Sequence, residues 1–178
     1  MTAATAHQTA GPYWHLIDFP EWADLLRPGG PNEGVAGPRI ALAGRITDGG
    51  GAPASDAMVE IWQADATGSY EPPFHGFGRC ATDADGVFRF TTIRPGAVPG
   101  LGNATQAPHI VVSIFARGLM RQLVTRAYFA GEPLNAEDPV LTAAGDRAPT
   151  LIAREAAPGE WRLDIVLQGN AETVFLDV

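Results

Sequence analysis

The chain has 178 residues, 46% of them hydrophobic, which suits one domain with a sizeable core and excludes a disordered polymer. Twelve basic residues, all arginine, stand against 20 acidic ones for a formal net charge of −8, which excludes nucleic acid and an anionic membrane surface as expected partners. Cys80 is the one cysteine, so no internal disulfide framework exists and a small buried hydrophobe is its expected role.

With 21 glycines and 15 prolines, the chain reads as short strands and tight turns rather than helices. Residues 1–7 carry neither a basic nor an apolar leader segment, and no apolar run approaches the ~18 residues of a membrane span. The expectation is a soluble, cytoplasmic protein.

Residues 1–38 form an irregular arm, with breakers at Gly11-Pro12, Pro28-Gly29-Gly30-Pro31 and Gly37-Pro38. Trp14, Phe19 and Trp22 make it too apolar for a free tail, so it is expected to lie on its own domain or on another subunit, with packing on a partner subunit the favoured reading. From Arg39 the rhythm becomes strand-like: Ile40, Leu42, Gly44 and Ile46 alternate, and Asp48-Gly49-Gly50-Gly51 turns the chain. Those glycines are no phosphate loop, because neither a helix nor Gly-Lys-Ser/Thr follows. Residues 58–64 make a second strand and 87–92 a third. Between them Asp83-Ala84-Asp85-Gly86 lacks the rest of a calcium loop and reads as an Asp-Gly turn.

Segments 109–116 and 122–129 are apolar on both faces, which predicts two central strands. One short helix is expected within 135–145. Residues 161–168 alternate as a further strand, and 173–178 close the chain as the last. The fold class expected is all-β: a two-sheet β-sandwich of about seven to eight short strands, spanning 39–178 behind the arm, with no internal repeat.

Residue chemistry alone shows no active site. The four histidines, His7, His15, His75 and His109, never stand at i, i+2 or i, i+4. No Gly-x-Ser-x-Gly elbow is present, and one cysteine cannot cage a metal.

The order of motifs goes further. Val59-Glu60-Ile61-Trp62-Gln63-Ala64-Asp65, Gly68-Ser69-Tyr70, Phe77-Gly78-Arg79-Cys80-Ala81-Thr82-Asp83, Thr92-Ile93-Arg94-Pro95-Gly96 and Ala107-Pro108-His109-Ile110 follow one another. Together they resemble the intradiol ring-cleavage dioxygenase family. The likeness covers roughly 39–178, and Gln8-Thr9-Ala10-Gly11-Pro12-Tyr13 is similar to the family's N-terminal arm. The chain is most similar to the protocatechuate-cleaving members, which are built of two homologous subunit types, alpha and beta.

The resemblance implies an Fe(III) site of two tyrosinates and two histidines, hard oxygen donors completed by imidazoles. Here Tyr70 matches the first tyrosine, but Val98 stands where the second belongs. His109 matches the first histidine, Val111 replaces the second, and Gln106 replaces the arginine of the Arg-Pro-Ala-His-x-His run. Neither valine has a donor atom, so this chain is expected to bind no metal. Regaining iron would need Val98→Tyr and Val111→His together.

Such a pattern is similar to the alpha subunit, whose homologous beta partner holds the Fe(III). It implies repeated alpha–beta protomers that cleave protocatechuate with O2 to 3-carboxy-cis,cis-muconate (the beta-ketoadipate pathway). Thr9, Gly11, Pro12 and Tyr13 would line the beta pocket, and Arg117, in Ile114-Phe115-Ala116-Arg117-Gly118, would face the substrate carboxylate. The plain reading of Arg117 is a solvated strand-end charge. For Tyr70 and His109 it is a hydrogen-bonded remnant pair. Two rivals remain open: a stand-alone intradiol enzyme with a rearranged metal site, and a non-enzymatic transthyretin-like β-sandwich binding module.

Overall fold

The computed structural model describes residues 19–177. Thr9, Gly11, Pro12 and Tyr13 lie outside the described residues, as do Gln8, Trp14, His7 and His15. No helix among the described residues is long and apolar enough to cross a membrane.

Residues 19–38, set apart in the sequence by their breakers, pack on the chain's own sheet. A 3-10 turn, Pro20–Ala23, leads to Leu25, whose N–H donates to the Thr91 carbonyl at 2.9 Å and whose side chain is in the core. Buried Asn32 ties the segment down. Its amide donates to the Leu25 and His75 carbonyls, and its oxygen accepts from the His75 N–H.

Eleven strands follow in the order β1 (Arg39–Thr47), β2 (Met58–Trp62), β3 (Phe77–Ala81), β4 (Val87–Ile93), β5 (Val98–Pro99), β6 (Thr105–Gln106), β7 (His109–Phe115), β8 (Leu123–Phe129), β9 (Ile152–Ala157), β10 (Glu160–Arg162) and β11 (Ile165–Val166). Helix α1 (Pro139–Ala144) lies between β8 and β9, within the segment expected to hold one. Asp138 caps it, its Oδ1 accepting from the Val140 and Leu141 N–H groups.

The fold is mostly β, as expected. The expected two-sheet sandwich is instead one nine-stranded sheet, with β5 and β6 forming a separate two-stranded one. β4 pairs with one edge of β1, and β10 and β11 pair in succession with the other. β9 joins β10 at one end and β8 at the other, where Tyr128 faces Ile152 and Phe129 faces Ala153. The sheet then runs on through β7, β2 and β3. Leu42, Ile46, Phe88 and Phe90 from one half meet Val59, Ile61, Ile110 and Ile114 from the other in a single core. Both strands predicted to be central, β7 and β8, are paired on both edges.

Two further expectations are corrected. The strand expected over 161–168 is broken, because at Gly44 the chain presses on the Leu163 carbonyl, where a Cβ would sit only 1.8 Å from the oxygen. The Arg45 N–H turns instead to the Asp164 carboxylate at 2.9 Å. The last expected strand, 173–178, reduces to one bridge, in which the Leu176 N–H donates to Val124 at 2.7 Å. The Asp-Gly turn before β4 formed as expected, with Asp83 Oδ1 accepting from the N–H groups of Asp85 and Val87.

Candidate functional site

The site is assembled by two loops and the His109 end of β7. Asp65 folds the first loop, its Oδ1 accepting from the Thr67 and Ser69 N–H groups at 2.8 and 2.9 Å. Its carbonyl accepts from both Gly68 and Gly96, 3.1 and 2.8 Å away. Gly68 adopts φ +86°, and a Cβ there would sit 1.8 Å from the Ala97 carbonyl oxygen. Only glycine permits that approach. It holds the loop of Tyr70 against the loop of Val98, which explains the glycines of both motifs.

Val98, buried in β5, faces Gln106 in β6. Across the β7–β8 ladder His109 faces Tyr128 and Val111 faces Arg126. Arg126 Nη1 donates to Gln106 Oε1 at 2.6 Å and to the Tyr128 hydroxyl at 3.1 Å. Tyr128 donates in turn to Asp138 Oδ1 at 3.0 Å, and Asp138 Oδ2 accepts from the Ala107 N–H at 2.8 Å. His109 packs its ring 5.4 Å from that of Tyr128, and its Nδ1 donates to the Ala107 carbonyl at 2.8 Å. Tyr70 is 42% exposed and lies parallel to Trp62 at 5.9 Å.

Arg126 governs the electrostatics. Burial, then repulsion from Arg126, holds His109 at about 4, against the opposing pull of the Ala107 carbonyl and Asp138. Burial raises the hydroxyls of Tyr70 and Tyr128 above the ordinary tyrosine value, and in both Arg126 works the other way. One guanidinium therefore acts on all three.

Tyr70, His109, Val111 and, through Gln106, Val98 all relate to Arg126, a residue the sequence reading did not single out. Asp138 and Tyr128 were missed as well. Arg126 left a signal: it is the one charge in the otherwise apolar β8, where an unpaired charge is costly. Arg117 is not part of this group. It follows the other end of β7, about 20 Å away at the usual rise of a strand, with 85% of its side chain exposed and Nε against Asp56.

A family model described as dioxygenase matches residues 21–169. The chain belongs to the intradiol ring-cleavage dioxygenases. It is 39% identical to the protocatechuate 3,4-dioxygenase alpha chain of Pseudomonas putida, over 97% of this chain and 96% of that one. It is also 39% identical to the beta chain from Burkholderia cepacia, over 84% of this chain and 73% of that one. The dioxygenase domain of a carbohydrate-binding fusion protein from Streptomyces sp. SirexAA-E superposes with TM-score 0.65 at 30% identity, covering 97% of this chain and 100% of that one. With the family shown, nothing favours the transthyretin-like alternative.

The residues present do not fit the family's ferric ion. The valine side chains at 98 and 111 have no donor atom. Among the described residues two buried polar side-chain atoms have no partner, Arg126 Nε and Asn135 Oδ1. The one beside these positions, Arg126 Nε, is an N–H on a cation, the opposite of what a metal ion needs from a ligand.

Proposed function

We propose that this chain is the iron-free, alpha-type subunit of a protocatechuate 3,4-dioxygenase, and that a homologous beta-type subunit holds the Fe(III). The observation that carries the reading is the guanidinium of Arg126 among Tyr70, Val98, His109 and Val111, where the family pattern calls for a metal. The nearly end-to-end match to an alpha chain supports it. Identity alone does not separate the two subunit types, because the beta chain reaches the same figure over a smaller share of its length.

On this reading ring opening belongs to the heteromer of repeated alpha–beta protomers, and no step of it runs through this chain's own pocket. The chain's part is to complete the partner's site. Thr9, Gly11, Pro12 and Tyr13 line that site, and Arg117 faces the carboxylate that distinguishes protocatechuate from catechol. The exposure of Arg117, far along β7 from its own chain's pocket, supports a role toward another subunit. A guanidinium grips a carboxylate with fixed geometry, which supplies both affinity and register.

The test is Arg117→Ala in the co-expressed heteromer. KM for protocatechuate should rise roughly ten- to hundredfold, the effect of losing one charge-assisted contact. The value of kcat should change less, because the contact exists in both ground and transition states. Catechol turnover is the control and should be indifferent. Unchanged protocatechuate kinetics, or equal damage with both substrates, would remove the anchor role.

A further inference from the structure

We infer that Arg126 has taken over the cation's place in this chain, and that it closes the site to iron even against restored ligands. The inference rests on the reading of this chain as iron-free. In the motif resemblance the arginine of this pocket belongs at 106. Here 106 is glutamine, and a guanidinium enters instead from 126 on the neighbouring strand, bonded to the glutamine that stands in its old place. The cross-strand register makes Arg126 the direct neighbour of Val111, one of the two lost ligand positions. Val98, the other, is the direct partner of Gln106. The two missing donors and the new cation therefore form one connected unit.

The guanidinium is also anchored. Nη1 is shared between Gln106 and Tyr128, and Tyr128 passes the connection to Asp138, which is wholly buried and caps α1. The negative charge of Asp138 and the positive charge of Arg126 thus lie at the two ends of one hydrogen-bonded chain. A ferric ion entering this pocket would meet a fixed positive charge that a guanidinium does not shed. Donors at 98 and 111 are then necessary and not sufficient.

The test compares iron uptake by four purified chains: the native chain, Val98→Tyr with Val111→His, Arg126→Gln alone, and all three changes together. Each is loaded with ferrous iron in air and desalted, then assayed for iron per chain and for visible tyrosinate-to-iron absorption. Near-ultraviolet circular dichroism checks the fold. The double variant should remain nearly iron-free, and the triple variant should take up roughly tenfold more, the scale on which groups around a metal site affect its binding. Arg126→Met replaces Arg126→Gln if the latter does not fold. A double variant that binds iron as well as the triple overturns the inference, and so does a folded triple variant that binds none. Iron in the native chain would instead overturn the reading of the subunit, so the two failures are distinguishable.

Discussion

The two ends of β7 are built to opposite rules. At the His109 end the polar groups are turned inward and linked: His109 to the Ala107 carbonyl, and Arg126 to Gln106 and Tyr128. Tyr128 and the Ala107 N–H converge in turn on a buried Asp138. At the other end Arg117 stands 85% exposed beside one carboxylate that is itself 42% exposed. A network of this kind rigidifies the fold, and the N–H it leaves unpaired, Arg126 Nε, is buried. An exposed arginine contributes little to its own fold and stays available to a neighbour. On the proposed reading, the difference separates what this chain has kept for stability from what it offers to another subunit.

The largest effect should come from opening the closed end. Asp138→Ala strands the N–H groups of Ala107, Val140 and Leu141 and the Tyr128 hydroxyl. A loss of about 3–5 kcal/mol in stability is expected, read by urea denaturation with an unchanged m-value. A loss below about 1 kcal/mol would mean the network is not what holds this end together.

Next in size is acid sensitivity. The folded chain holds His109 at about 4, below the ordinary value near 6.5, so between those limits the unfolded chain takes up a proton that the folded chain refuses. The stabilisation is complete above about pH 6.5 and is lost as pH falls, by about 1.4 kcal/mol per unit down to about pH 4. His109→Gln removes this slope and leaves the carboxylate background. Parallel stability curves for the two proteins would contradict the burial of a neutral imidazole here.

The smallest effect belongs to the open end. Arg117→Ala should change the stability of the chain by no more than about 0.5 kcal/mol, while the heteromer loses affinity for the carboxylated substrate. If the same substitution lowers Tm by many degrees, Arg117 is a structural residue and the contrast between the ends fails.

Much of this was legible in the sequence for physical reasons, and the rest was not. β1 showed itself by alternation, and β7 and β8 by being apolar on both faces. β9 could not, because its burial ends after Ala153 and pairing with β8 and β10, rather than an apolar face, defines it. β3 was hidden by small inward residues, Gly78 and Cys80. The break between β10 and β11 depends on contact with Gly44, more than a hundred residues away, which no local pattern records. In the site, positions 70, 98, 109 and 111 were singled out by the ordered motifs alone. Arg126 was visible as a misplaced charge, but its meaning lies in a bond to Gln106, 20 residues back, that only the strand register discloses.

On the proposed reading the guanidinium of Arg126 stands where the family pattern calls for a metal ion. The most direct test is elemental analysis of the purified native chain after exposure to iron, with its visible spectrum recorded alongside. No stoichiometric iron and no tyrosinate-to-iron band are expected, in the isolated chain or on this subunit in the heteromer. About one iron per chain, with that band, would overturn the iron-free reading.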